Sequence, residues 1–262
     1  MANKALLVGI NAYESSPLRG CLNDVKYMSG LAKSFGYNDQ VTLLDNKATY
    51  QNIIFELNEL ITSSVSGDLL LFHFSGHGCQ IPTIPRTGRY ESDGLDEAIV
   101  PFDYTKFGVI RDDDLYSILS KLPKGVILTC IFDCCHSGDG TRSFAFTYNQ
   151  SKSIGVLGSD TGKHLNPING AIREINIDSE MGDIILISGC QSNQTSADAF
   201  IMNEYQGALS YSIRKACESY KDATISNGML VKWINNFMDN SGFTQNPVLE
   251  CKEEYKERLF LK

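Results

Sequence analysis

Short apolar segments alternate with amphipathic helical segments along most of the chain, and this alternation constrains the fold more than any other feature. Two of the apolar segments, residues 68–74 and 125–132, are almost entirely apolar. Such runs are typical of strands that are covered on both faces of a sheet. The alternation therefore predicts an α/β fold, with a mostly parallel central sheet flanked by helices on both faces. A chain of 262 residues fits one large domain better than two.

The predicted elements follow one another in a regular order. Strands are predicted at residues 5–10, 40–44, 68–74, 98–100, 125–132, 183–188 and 247–251. Helices are predicted at residues 22–35, 49–61, 112–122, 207–220 and 227–238. Residues 139–182 carry no sustained period, which is unusual inside a compact domain and indicates a functional or mobile loop.

Composition excludes several classes of protein. The chain has 31 acidic and 23 basic residues, a net charge of -8, so a nucleic-acid partner is not expected. No apolar run approaches the roughly 20 residues that cross a bilayer, and the N-terminal segment is interpreted as a first strand rather than a signal peptide. The eight cysteines form no C-x-x-C pair and no evident disulfide framework, which indicates a reducing, cytoplasmic location.

Polar and reactive residues directly follow two of the apolar strands. The segments are H-F-S-G-H-G at residues 73–78 and D-C-C-H-S-G at residues 133–138. If the two strands are parallel neighbours, both segments open at the same edge of the sheet. His77 would then meet Cys135 as the base of a thiolate nucleophile, and the N–H groups of Gly78 and Cys135 could face an oxyanion. This set of groups is typical of acyl transfer.

Other interpretations of the same residue types remain. Cys130, Cys190 and Cys217 are interpreted as small buried apolar side chains, because most lone cysteines are. His73 alternates within a strand and is interpreted as a core histidine. A zinc site built from Cys134, Cys135, His136 and His77 is an alternative, although adjacent cysteines are awkward ligands for one metal ion.

The two segments resemble the catalytic motifs of metacaspases, which are cysteine peptidases of the caspase-like superfamily. Further segments resemble the family in the same order along nearly the whole chain: A-L-L-V-G-I-N-A-Y, L-R-G-C-L-N-D, D-E-A-I-V-P-F-D, I-R-D-D-D-L, I-S-G-C-Q-S-N-Q-T-S-A-D and Q-N-P-V-L-E-C. The resemblance implies a caspase-like fold with a six-stranded sheet, His77 as the catalytic histidine and Cys135 as the nucleophile. Cys134 stands where the family has small residues.

The resemblance also implies how the chain is organised. It corresponds to a single peptidase domain, residues 1–262, of the kind without a prodomain. Residues 1–138 resemble the large subunit, residues 139–182 the linker, and residues 183–262 the small subunit. Metacaspases resemble monomers, and the family is associated with programmed cell death.

Metacaspases cut after Arg or Lys, and the resemblance implies that Cys21, Asp24, Ser75 and Asp133 line the pocket for that side chain. Two carboxylates would bind a guanidinium through charge-assisted hydrogen bonds. From the residues alone, Asp24 could instead be a charge at a helix N-terminus, and Asp133 could hold a loop backbone or orient His77. Self-cleavage is a further hypothesis, with basic linker residues as its sites: Arg142, Lys152, Lys163 and Arg173.

Acidic residues suggest a calcium site as an activator, since Ca²⁺ binds hard oxygen ligands. By resemblance to calcium-dependent metacaspases, the ligands would be Asp96, Asp112 and Asp113. Arg142 stands where a fourth acidic ligand is expected, which weakens that expectation. A charged loop and a helix N-terminus are the alternative interpretation.

The function predicted is therefore a cysteine endopeptidase acting on protein or peptide substrates with Arg or Lys at the cleavage site. The chemistry itself requires no cofactor. An Asp-specific peptidase is a rival, which the acidic pocket residues disfavour. A catalytically silent scaffold with the same fold is a second rival, which the intact Cys–His pair disfavours.

Overall fold

The central element of the fold is a six-stranded sheet. The computed structural model describes residues 2–82, 95–134, 150–151, 180–189, 197–201, 203–220 and 224–262. Its strands are β1 (Asn3–Gly9), β2 (Asp39–Leu44), β3 (Leu69–Ser75), β4 (Gly78–Pro82), β5 (Leu95–Ile99), β6 (Ile110–Arg111), β7 (Ile127–Asp133), β8 (Gln150–Ser151), β9 (Asp183–Ser188), β10 (Ala197–Ile201), β11 (Glu204–Gly207) and β12 (Val248–Glu250). The sheet has the order β12-β9-β7-β3-β1-β2. All neighbours are parallel except β12, which is antiparallel to β9.

Helices cover both faces of this sheet. They are α1 (Cys21–Ser34), α2 (Tyr50–Thr62), α3 (Tyr104–Phe107), α4 (Asp112–Leu119), α5 (Ala208–Ser219), α6 (Asn227–Asn240) and α7 (Glu253–Lys256), with one 3-10 turn at Asp45–Lys47. Side chains of β1 alternate between two separate clusters of buried residues. Leu6 and Val8 join the cluster that contains α2 and α4, whereas Leu7 joins the cluster that contains α1, α5 and α6. The predicted arrangement of a mostly parallel sheet between helices is confirmed.

Two helices begin where the sequence offers a capping hydroxyl. The Thr49 side chain accepts a hydrogen bond from the Asn52 amide at the start of α2, and Ser226 accepts one from Met229 at the start of α6. Such caps satisfy a backbone N–H group that has no partner inside the helix. Within the described part of the chain, no helix has the length and apolar character needed to cross a membrane.

Two small antiparallel sheets were only partly predicted from the sequence. One has the order β4-β5-β6, where only a strand at 98–100 was expected, and the other has the order β11-β10-β8. These strands contain two to five residues. Such short segments show too few positions for their hydrophobic period to be recognised.

The register of the central strands places functional residues at one edge. Ser75 pairs with Gly9 on one side and with Asp133 on the other. Since β1, β3 and β7 are parallel, their carboxyl ends open into the same crevice, which is where ligands bind in open α/β sheets.

Candidate active site

His77 lies two residues beyond the end of β3 and is buried. Its Nε2 atom is 2.6 Å from the carbonyl oxygen of Ser16. A carbonyl oxygen can only accept, so Nε2 is the donor in this hydrogen bond and carries a proton. Ser16 has φ 59°, in the left-handed region that non-glycine residues seldom adopt. Strained backbone of this kind is concentrated at functional sites.

The amide of Gly78 is directed away from strand β5. The Val100 amide donates to the His77 carbonyl at 3.0 Å, which makes His77 and Val100 a hydrogen-bonded pair. Hydrogen-bonded and non-hydrogen-bonded pairs alternate along an antiparallel ladder. The next pair, Gly78 with Ile99, is therefore of the second type. The Gly78 N–H group consequently points out of the ladder, which is the geometry that an oxyanion donor requires.

Asp24, in the first turn of α1, is buried at the carboxyl end of β3. The Ser75 hydroxyl donates to its Oδ2 at 2.6 Å, and the Gly207 amide donates to its Oδ1 at 2.8 Å. Both carboxylate oxygens are thus fixed in position. The structure brings Asp24 and Ser75 into direct contact, adds the backbone of Gly207, and places Asp133 opposite Ser75 on β7.

Asp133 is the last residue of β7 and is also buried. Its Oδ2 accepts a hydrogen bond of 2.9 Å from the amide of Ser210, in the first turn of α5. Of the alternatives left open by the sequence, this contact supports a role in holding backbone. It also places the Asp133 carboxylate at the positive end of a helix dipole, as Gly207 does for Asp24.

His73 and Cys21, which the sequence also singled out, are both buried. Nε2 of His73 is 3.1 Å from the Ser210 hydroxyl, which agrees with the interpretation as a core histidine. Cys21 is the first residue of α1, and its amide donates to Asn11 Oδ1 at 2.9 Å.

Burial makes several other thiols poor nucleophiles. Desolvation raises the pKa of Cys79 to about 12, that of Cys217 to about 12 and that of Cys251 to about 11. It also raises the pKa of Cys130, which lies in the core as predicted. These four side chains remain protonated at neutral pH, and the thiolate is the reactive form.

The predicted calcium ligands lie near β5, β6 and α4. Asp96 Oδ2 is 2.5 Å from Nη1 of Arg111, and this ion pair is largely buried. Asp112 is buried at the start of α4, next to Asp113. The described residues contain no group of three or more histidine, cysteine or acidic side chains arranged to hold a metal ion. The guanidinium of Arg111 thus neutralises one of the three carboxylates that the resemblance assigns to calcium.

Several predicted residues fall outside the described part of the chain. They are Cys135, Cys190, Arg142, Lys152, Lys163 and Arg173, together with all of residues 139–182 except 150–151 and 180–182.

Sequence comparison identifies the family. The family model "Metacaspase, peptidase C14 domain" matches residues 3–142. Metacaspase-1 of Meyerozyma guilliermondii is 38% identical over 252 residues, which covers 81% of this chain and 61% of that protein. This chain belongs to the metacaspase family. It spans about three fifths of the length of the curated relatives it matches.

Two solved structures support the same fold. Protein GSU0716 of Geobacter sulfurreducens superimposes with a TM-score of 0.74 at 24% identity, covering 100% of this chain and 99% of that one. Caspase-1 of Spodoptera frugiperda superimposes with a TM-score of 0.58 at 11% identity, covering 95% of this chain and 87% of that one. At these identities the likeness concerns the fold alone, and it confirms the predicted caspase-like architecture.

Four residues around the site were not singled out by the sequence. Ser16 and Tyr13 contact His77, and Gly207 and Ser210 contact the two buried carboxylates. Three of these contacts use backbone groups, which leave no signature in residue identity. Tyr13 alone could have been noticed, as a large side chain between the first strand and the first helix.

Proposed function

We propose that this protein is a cysteine endopeptidase that hydrolyses peptide bonds after Arg or Lys. The register of β3 and β7 carries the proposal. Ser75 lies opposite Asp133, and His77 and Cys135 each follow two residues later. Neighbouring strands are about 4.8 Å apart. We therefore expect the histidine and the cysteine to follow adjacent strands at one edge of the sheet, as an acyl-transfer dyad requires.

The contact between Ser16 and His77 suggests how the base is prepared. With the proton held on Nε2 by the Ser16 carbonyl, Nδ1 is the nitrogen proposed to act as the base. In the proposed reaction, Nδ1 takes the proton of the Cys135 thiol while the sulfur attacks the scissile carbonyl carbon. The carbonyl oxygen becomes an oxyanion, for which the N–H groups of Gly78 and Cys135 are the proposed donors.

The remaining steps return the enzyme to its starting state. The imidazolium of His77 gives its proton to the departing amine, and the acyl part of the substrate stays on Cys135 as a thioester. His77 then deprotonates a water molecule, which hydrolyses the thioester. The proton passes to the departing sulfur, and the thiol is restored.

Preference for a cationic side chain is proposed to come from Asp24, assisted by Asp133, with Cys21 and Ser75 as the remaining pocket residues. The donors described for the two carboxylates are a hydroxyl and backbone amides, which are neutral. An arginine or lysine side chain in the pocket would therefore gain charge-assisted hydrogen bonds.

We also propose that the activity does not depend on calcium. The guanidinium of Arg111 occupies the carboxylate of Asp96, and the sequence places Arg142 where a further acidic ligand was expected. No step of the reaction above uses a metal ion. Self-cleavage in the linker, at the basic residues named from the sequence, would follow from the same specificity.

The function is tested with fluorogenic peptides ending in Arg, Lys or Asp, each assayed with wild-type protein and with Cys135→Ala. The expected result is cleavage after Arg and Lys by the wild type and none by the variant. Cleavage after Asp alone would establish the rival specificity, and no cleavage of any peptide would favour the scaffold. Electrophoresis of the same samples tests self-cleavage, because only the wild-type 29.0 kDa chain should shorten.

A further inference from the structure

Tyr13 makes two separate contacts with His77. The ring centroids of the two side chains are 4.5 Å apart with an angle of 50° between the rings. The Tyr13 hydroxyl accepts a hydrogen bond of 3.0 Å from the backbone amide of His77. Tyr13 is itself buried and lies in the loop between β1 and α1.

The same hydroxyl also ties His77 to the neighbouring strand. It donates to the carbonyl oxygen of Val100 at 2.9 Å. The Val100 amide in turn donates to the His77 carbonyl at 3.0 Å. Both backbone polar groups of His77 are therefore fixed, one by Tyr13 and one by Val100, and the Tyr13 hydroxyl joins the two residues.

Gly76 makes this close approach possible. A Cβ atom at position 76 would lie 2.6 Å from the Tyr13 hydroxyl oxygen and 2.9 Å from the Phe74 ring. Real Cβ atoms essentially never come so close to another heavy atom, so a side chain there would displace Tyr13. The glycine before His77 thus has a packing role in addition to its position in a reactive segment.

The loop that carries Tyr13 also carries Ser16, whose carbonyl binds Nε2 of His77. This loop is anchored elsewhere, because Asp45 Oδ1 accepts hydrogen bonds from the amides of Asn11 and Ala12 at 2.7 and 2.9 Å. One anchored loop therefore contacts the face, the amide and the Nε2 atom of a single histidine.

We propose that Tyr13 is a positioning residue for His77. Its hydroxyl fixes the backbone from which the imidazole projects, and its ring limits rotation of the imidazole. Together these contacts keep Nε2 on the Ser16 carbonyl and fix the orientation in which Nδ1 is presented. This inference rests on the proposed peptidase function, since it assigns Tyr13 a part in the orientation of the catalytic base.

The test is Tyr13→Phe, which removes one oxygen atom and keeps the ring. The His77 amide and the Val100 carbonyl lose a buried partner, so the imidazole should lose its fixed orientation. We expect kcat to fall about tenfold to a hundredfold with KM changed by less than about twofold, since misplacement of a catalytic group acts on the chemical step.

Tyr104→Phe is the matched control, because the Tyr104 ring packs edge-on against Tyr13 at a centroid distance of 6.3 Å. That control should keep wild-type kcat.

A second readout does not depend on turnover. Nitrogen-15 NMR of the four histidines should show His77 as a single Nε2–H tautomer in the wild type and as a mixture in Tyr13→Phe. All measurements are made well below the unfolding midpoint of each variant, so that a loss of stability is not mistaken for loss of orientation. The inference is overturned if the variant keeps either wild-type kcat or a single Nε2–H tautomer. Failure of the proposed function is a different outcome, in which the wild type shows the single tautomer and cleaves no peptide.

Discussion

The Ser75 hydroxyl donates a 2.6 Å hydrogen bond to Asp24, across the end of the strand that leads to His77. Asp24 and His77, the proposed pocket carboxylate and the proposed base, are thus both positioned at the carboxyl end of β3. A substrate cation bound at Asp24 would have its scissile carbonyl placed relative to His77 by the rigid backbone of residues 75–77.

Asp24→Asn should lower kcat/KM for Arg peptides by about tenfold to a hundredfold, because a hydrogen bond to a charged group contributes roughly 1.5–3 kcal/mol. Asparagine has nearly the same shape and can still accept from the Gly207 amide. Peptides with a neutral side chain at the cleavage site should be affected much less. Steady-state kinetics with paired Arg and neutral peptides measure the difference.

The control for this substitution is Asp183→Asn. Asp183 is the first residue of β9 and forms an ion pair with Lys252 at 2.5 Å. It lies at the amino end of the parallel strands, whereas Asp24 lies at their carboxyl end. The control variant therefore also removes one carboxylate, but at the other end of the sheet. Asp183→Asn should leave the ratio of kcat/KM for Arg peptides to kcat/KM for neutral peptides unchanged. Equal losses for Arg and neutral peptides in Asp24→Asn would show that Asp24 has a structural role only.

Thiol reactivity offers a second prediction. The raised pKa values of Cys79, Cys217 and Cys251 leave these thiols protonated at pH 7. A mild alkylating reagent at pH 7 should therefore modify Cys135 first, and Cys135→Ala should delay the first addition by about tenfold or more. Mass spectrometry of the intact chain and of its peptides identifies the labelled residue. Equally fast labelling of the variant would argue against an activated Cys135.

The parts of the fold that the sequence predicted are those with local signals. Strands β3 and β7 are buried on both faces and therefore read as continuous apolar runs, and the reactive segments follow them directly. Their order along the chain, combined with the rule for parallel neighbours, was enough to predict His77 at the carboxyl edge of the sheet, where the structure has it. Cys135 lies outside the described residues, so its place at the same edge stays a prediction.

The contacts that surround the site have no local signal. The Gly207 amide reaches Asp24 across 183 residues of sequence, and the Ser16 carbonyl reaches His77 across 61. Both are backbone groups, so the residue types in the sequence do not indicate these contacts. The sequence also could not decide among the alternative roles of Asp133. Its contact with the Ser210 amide depends on where the first turn of α5 lies, and only the tertiary structure defines that position.

Asp68 provides a prediction about pH and stability. Backbone hydrogen bonds from Ala2 and Val65, at 2.7 and 3.1 Å, lower the pKa of this carboxyl below its ordinary value. A group whose pKa is lower in the folded state stabilises the fold above its unfolded pKa, about 3.9 for Asp, and loses this contribution as pH falls through the folded value. Asp68→Asn should therefore lower the unfolding temperature by several degrees at pH 6.

The difference in unfolding temperature between wild type and Asp68→Asn should narrow as the pH falls below the unfolded pKa of Asp, about 3.9, because the unfolded chain then gains a proton before the folded chain does. Thermal unfolding followed by circular dichroism at a series of pH values measures this. A difference that stays constant from pH 6 to below pH 3 would mean that the ionised form of Asp68 contributes nothing to stability.

The ion pair between Arg111 and Asp96 leads to the last prediction. Chelator should change kcat/KM of the wild-type protein by less than about twofold, because a guanidinium already neutralises Asp96.

Arg111→Gln should destabilise the fold by about 3–5 kcal/mol, since it leaves a buried carboxylate without its partner. Added calcium should then raise the unfolding temperature of Arg111→Gln but not that of the wild type. Lys124→Gln, which breaks an exposed ion pair with Glu180, should gain no such response. Loss of most wild-type activity in chelator would show that calcium binds despite Arg111 and would restore the family's metal site.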